Sequence, residues 1–283
     1  MPNPFAFVIP ELTSVTASAI KYSLPLSDNE AINIMSIFKK LFGKQEEQPK
    51  SAENNSEDVL QPKADWHSFD ELLEQNAGLS FEKQMIFGEV IDNQAWQFDM
   101  NSGRISFGSE LRFNVQIIGS LSFSDQSWMW GWANIQSGMP ENLLQHANQL
   151  KAIGEEKNIT EFTEGHFTVD EGFEHQMGMA ACGYFQSKSY YCANYGQGTL
   201  VVLIDDDRIP TVDLNRLEKV LTTFPQLISA VALNHRNAFE NYLIDRGFSL
   251  TRSDQNVEGL KNNRTVTGEF DELGRLTSLK GNL

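Results

Sequence analysis

Between Gln94 and Asn134 large apolar residues recur at alternate positions in successive short runs, and this stretch constrains the fold more than any other part of the chain. Trp96 and Phe98 alternate with polar neighbours, Asn101-Ser102-Gly103 supplies a turn, and Ile105 with Phe107 resumes the alternation. A period of two belongs to extended chain, whose successive side chains point to opposite faces, so a one-sided apolar stripe implies a sheet with one covered face. Phe113, Val115, Ile117, Leu121 and Phe123 predict a third strand, interrupted at Gly119. Trp128, Trp130 and Trp132 predict a fourth, with all three indoles on one face and Met129, Gly131 and Ala133 on the other. The expectation is an antiparallel meander.

Helical spacing surrounds it. Asp65 or Ser68 can cap a helix running through Phe69, Leu72, Leu73 and Asn76. Met139-Pro140-Glu141 opens a second that stops at Gly154, and a third is expected from Val169 to Ala181. Strands are expected over 183–195 and 199–204, the latter wholly apolar, followed by helices around Leu214 to Leu221 and from Ala238 to Arg246, where Gly247 ends the turn. The C-terminal Thr265 to Leu279 reads as a hairpin with Gly274 at the position that needs a positive φ. Its Phe270-Asp271 before Gly274-Arg275-Leu276 echoes Phe98-Asp99 before Gly103-Arg104-Ile105, a turn solution used twice. The predicted class is α+β: one domain over 64–283, an antiparallel sheet with helices packed against it, behind a flexible N-terminal segment. In that segment, residues 45–63 are polar and charged, which suits a disordered linker, and 35–63 as a whole joins a short amphipathic turn to that linker. Met35-Ser-Ile-Phe-Lys-Lys-Leu-Phe reads like a chain start, so 1–34 is expected to be an extension upstream of the true start or a loosely attached segment.

The 22 Lys and Arg against 38 Asp and Glu give a net charge of -16, of which -14 falls after residue 64. Phosphate binding needs clustered cations, so nucleic acid is not the expected partner; a basic protein is. No apolar run is long enough for a membrane helix and no signal peptide is evident, so a membrane partner is not expected and a cytoplasmic location is. Cys182 and Cys192 are too few for a disulfide scaffold. A turn near Ser187 would set them across two strands within reach of a disulfide, but in a reducing compartment they read as buried thiols.

Three constellations could carry function. Glu155, Glu156, Glu161, Glu164, Asp170, Glu171 and Glu174 set seven carboxylates against Lys157 alone, either a solvated face or a docking surface for a basic protein. Trp128, Trp130 and Trp132 form either an aromatic core or a ligand or interface wall. Asp205, Asp206 and Asp207 follow a buried strand, where a metal-dependent hydrolase or transferase could hold a divalent cation, although a solvated turn suits them better. The five histidines are scattered, and Glu171 with His175 reads as a surface pair on the expected helix. No nucleophile elbow or phosphate loop is present, so neither catalytic residues nor a cofactor are expected.

From Asp65 onward the chain resembles an uncharacterised bacterial domain family of unknown function. Ala64-Asp65-Trp66, Trp96-Gln-Phe-Asp with Phe107-Gly108, Gln116-Ile-Ile-Gly119-Ser, Trp128-x-Trp-Gly-Trp-Ala-Asn134 and Ala238-x-x-x-Tyr242-Leu-x-x-x-Gly247 carry the likeness, with Gly131 where alanine is expected. Proteins of this kind resemble immunity proteins, cytoplasmic partners that neutralise toxins passed between competing bacteria. The resemblance implies a binding protein and brings no catalytic residues with it. A small-ligand module lined by tryptophans is a third reading.

Overall fold

The computed structural model describes residues 62–282, and the expectations for 1–61 lie outside these. Helix α1, Phe69–Ile91, is the axis of the molecule. Ser68 caps it by accepting from Glu71 N at 3.2 Å, while the Glu71 carboxylate accepts from His67 N, so one orphaned N–H of the first turn and one just before the cap are satisfied. The helix runs well beyond Asn76 because Phe87 and Ile91 continue its buried side, and it ends where Asp92 enters the left-handed region at φ 41.

The meander follows as β1, Trp96–Asp99, β2, Arg104–Phe107, β3, Leu111–Ser122, and β4, Ser127–Trp130, all antiparallel. Two short 3-10 turns, Ile135–Ser137 and Glu141–Leu143, lead into α2, Gln145–Lys157, and then the single turn α3, Thr160–Thr163. Strand β5, His166–Thr168, pairs with β4 alone and forms a free edge. Next come α4, Phe173–Tyr184, β6, Ser189–Asn194, and β7, Gly198–Ile204, which lies between β3 and β6 and is buried throughout. These seven strands make the larger sheet. The chain then adds α5, Glu218–Ala230, and α6, His235–Asp245, and closes with β8, Ser249–Arg252, β9, Asn256–Lys261, β10, Arg264–Phe270, and β11, Leu276–Asn282. The last four form a second antiparallel sheet in the order β11-β10-β9-β8. The described residues therefore hold six α-helices and two antiparallel sheets, an α+β fold.

Several local expectations are corrected. Strand β3 is continuous through Gly119, but its register against β7 shifts between Ile117 and Gly119, leaving Ile118 as a bulge. The extra residue exchanges the faces: Phe113, Val115 and Ile117 pack in one apolar cluster with Phe87 and Val202, whereas Ile118 and Leu121 pack in the other with Trp128 and Val201. Gly119 is required because a Cβ there would come within 2.4 Å of the Trp128 ring. Strand β4 stops at Trp130, since the backbone turns with Ala133 N donating to Trp130 O, so Trp132 is not on the strand. The segment assigned to a strand from Gly183 is helical to Tyr184, which places Cys182 on α4 rather than opposite Cys192; that cysteine faces Val201 in the ladder, and both thiols are free. Helix α5 begins at Glu218, later than Leu214, because the Asp213 side chain caps a turn by accepting from Asn215 N rather than capping the helix. The C-terminal hairpin forms as expected, with Gly274 at φ 73.

Helix α1 joins the two sheets. It packs on α4 and β6 of the larger sheet and on α5 and α6, and α6 in turn lies against β8, β9 and β10. Close approach of α1 to α6 depends on Gly78, where a Cβ would sit 2.5 Å from the Tyr242 side chain. At the same joint Arg246, fully buried, donates to Glu82 Oε2, to Asp213 O at 3.0 Å and to Arg216 O at 2.7 Å. Tyr242 donates to the same Glu82 oxygen at 2.7 Å, and Lys261 Nζ donates to Arg246 O at 2.7 Å. A guanidinium can be buried here because nearly every donor meets an oxygen and its charge meets a carboxylate.

Candidate functional site

The seven acidic residues follow the chain past the free edge of the larger sheet. Glu155 and Glu156 lie in the last turns of α2, Glu161 is on α3 with Glu164 just after it, and Asp170 and Glu171 lead from β5 into α4. Glu155, Glu156, Glu164, Asp170 and Glu171 are exposed and Glu161 is half-buried. The one cation of the run does not neutralise it. Lys157 is turned to Asp65 Oδ1 at 3.0 Å and Trp66 O at 2.9 Å, above the Trp66 ring. Lys151 reaches Glu155 at 4.0 Å, and no ion pair to the other six is formed among the described residues. Charges flanking a short edge strand also keep other strands from adding to it.

Glu174 departs from the expected surface run. Helix α4 starts at Phe173 behind Gly172 at φ 87, so Glu171 lies before the helix and does not form an i,i+4 pair with His175. Glu174 itself is only 5% exposed, its Oε2 has no hydrogen-bond partner, and burial pushes its carboxyl above the usual carboxylate range. It lines a cleft of about 440 Å³ with Leu121 and Phe123 at the end of β3, Glu171 and Gly172, and Asn194 and Gly196 at the β6–β7 turn.

Below Glu174 runs a line of polar groups that the sequence did not reveal. Cys192 Sγ lies 3.7 Å from Glu174 O and 3.7 Å from His175 Nδ1, which is 3.4 Å from Tyr190 OH, and that hydroxyl donates to Gln84 Oε1 at 3.0 Å. A thiol beside an imidazole is the arrangement of an activated nucleophile, but activation needs the thiolate. Here burial lowers His175 to about 4 and raises Cys192 well above its ordinary value, so both groups are neutral near pH 7. Cys182 is likewise pushed up by burial, to about 11.

Trp128 and Trp130 are core residues, fully buried and in T-shaped contact at 5.7 Å, and the Trp130 indole donates to Glu161 O at 2.9 Å. They leave no wall for a ligand. Trp132, half-buried, stacks on Trp130 under Lys151 Nζ and borders an open cleft with Asn142, Gln145 and Asn148. Asp205 and Asp207 are exposed, while Asp206 receives Arg208 through both oxygens, at 2.8 Å each, and the guanidinium holds its carboxyl below the usual range. Among the described residues no group of three His, Cys, Asp or Glu side chains is placed to hold a metal ion. No described helix is long and apolar enough to cross a membrane.

The larger sheet, from α1 through β7, is thus where the tryptophans, the acidic run and both clefts are found. Residues 70–207 match the model of a family of unknown function (DUF6882). The matched segment contains the whole larger sheet and ends at Asp207, so it includes every candidate site residue, while α5, α6 and the second sheet lie outside it. Ala64-Asp65-Trp66 and the Ala238 to Gly247 stretch of the sequence resemblance also fall outside the match. No curated protein and no solved structure matches the chain.

Proposed function

We propose that this chain is a binding protein that docks a basic protein through the carboxylates between Glu155 and Glu174. The observation that carries the reading is that five of these groups are exposed while the nearby lysines are committed elsewhere or only graze Glu155. An open field of one sign raises association rates with an oppositely charged surface and selects against acidic competitors. The likeness to immunity proteins makes the partner a toxin domain, neutralised in the cytoplasm. Acidity alone serves solubility equally well, so the test must read binding.

The product of the gene beside this one is expected to kill cells when expressed alone and to co-purify with this chain when both are present. Replacing Glu155, Glu156, Glu161 and Glu164 together by glutamine is expected to slow association at least about tenfold at low salt, with the difference shrinking as ionic strength rises. Association unchanged by the fourfold replacement removes the acidic surface from the reading. A neighbour that neither kills nor binds removes the toxin. Magnesium or manganese raising the melting temperature, with the effect lost in Asp205→Ala, would instead support the metal-dependent enzyme.

A further inference from the structure

The cleft beside α4 has a property that the rest of the acidic run lacks. Glu171 and Glu174 both line it, one exposed and one buried, and the buried one keeps an oxygen without a partner. Buried carboxylate oxygens ordinarily find a donor, and an orphan on a residue that lines a cleft marks where a donor can be supplied. Phe123 offers an aromatic surface on the same cleft, while Asn194 Oδ1 already accepts from Gly196 N at 2.8 Å. Its volume, about 440 Å³, falls within the range of sites for small molecules or single side chains. The positive end of α4 opposes a cation there with about half an elementary charge, which two carboxylates outweigh.

We propose that this cleft receives an arginine side chain of the basic partner, its guanidinium pairing with Glu174 and Glu171 against Phe123. Arginine fits better than lysine because its planar fork can serve two carboxylates at once and can stack on a ring. The inference rests on the proposed docking of a basic protein, and it names the anchoring contact within that surface. Anchors of this kind, desolvated and central, carry most of the energy of an interface, whereas exposed charges around them mainly set the association rate.

The test uses the full chain, isotope-labelled, titrated with N-acetyl-arginine amide and, separately, with N-acetyl-citrulline amide, which keeps the shape and loses the charge. Saturable shifts of the Gly172, Glu174, Asn194 and Gly196 amides are expected with arginine, at a dissociation constant on the order of 1 mM, and at least about tenfold weaker binding with citrulline or in Glu174→Gln. Glu171→Gln, at an exposed position, is expected to weaken arginine binding about threefold and serves if Glu174→Gln does not fold. Absence of saturable shifts, or equal binding of citrulline, overturns the proposal. So does arginine binding that neither substitution changes. Arginine binding in a chain that docks no protein would uphold the cleft and remove the partner; docking that persists in Glu174→Gln would do the reverse.

Discussion

The acidic run and the second sheet treat charge in opposite ways. From Ser249 to the C-terminus five acidic residues meet five basic ones, and much of that charge is paired: Arg275 with Asp271 at 2.7 Å, Lys280 with Glu269 at 2.8 Å, and Arg252 with Glu240 of α6 at 2.6 Å. Between Glu155 and Glu174 seven acidic residues meet one lysine, which is engaged elsewhere. The first region closes its electrostatics within the chain, and the second leaves them open to whatever approaches. Charge density alone therefore says little about docking; what counts is how much of it is already matched.

The largest effect is expected where the two regions meet. Arg246 caps the C-terminal end of α6 and Glu82 lies on α1, so Arg246→Met leaves a buried carboxylate without its cation and should cost about 3–5 kcal/mol in urea denaturation. Adding Glu82→Leu should recover most of that loss, because an apolar pair of similar volume avoids the desolvation of two charges. A single substitution costing under about 1 kcal/mol would mean that the regions are held by apolar packing alone.

An intermediate effect separates the interiors. His175, under the acidic run, titrates at about 4 in the fold against an ordinary value of 6.5, so the unfolded chain binds the proton first. Its contribution to stability is complete above pH 6.5, is lost as pH falls, and levels out below about 4, with a slope of up to about 1.4 kcal/mol per pH unit. Glu174, shifted upward, opposes this, since its buried acid form favours the fold at low pH and that advantage fades as pH rises above 4.5. His235 near the second sheet is also lowered by burial, and its Nδ1 accepts from Leu276 N at 3.1 Å. Denaturation across pH 4–7 should show a shallower acid limb in His175→Gln; an unchanged limb would assign the loss to His235 or to His146, which burial also lowers.

The smallest effect tests the charge comparison directly. Glu240 accepts from Arg236 at 3.2 Å and Arg252 at 2.6 Å, so Glu240→Gln should cost about 0.5–1 kcal/mol. Glu156→Gln, removing an exposed carboxylate with no ion pair, should change stability by less than about 0.5 kcal/mol. Equal costs by thermal denaturation would erase the distinction between matched and open charge.

The parts of the fold legible in sequence were those that repeat a local rule. Alternation marked β1 to β4, an apolar run marked β7, and the hairpin glycine marked β10 and β11. Strands β8 and β9 were missed although β9 alternates cleanly, because its buried positions are Val257, Gly259 and Lys261, and only the first is a large apolar residue. The acidic residues were legible as a surface but not as a site. Nothing local distinguishes Glu174 from Glu171; the difference is that one falls on the inner side of a helix whose start is set by Gly172. Nor could a sequence separation of 164 between Glu82 and Arg246 announce that they meet, since that pairing depends on how α6 returns to α1.

The bulge at Ile118 gives β3 something like a reading frame. On one side of it odd-numbered residues supply the cluster around Phe87, and on the other they supply the cluster around Trp128. Deleting Ile118 alone would close the ladder with Gly119 and Leu121 still on the Trp128 side, whereas plain alternation carried through it would send them toward the wrong cluster. Homologues aligned through this strand by apolar pattern alone would then be placed one residue out of step over the segment that faces the tryptophans.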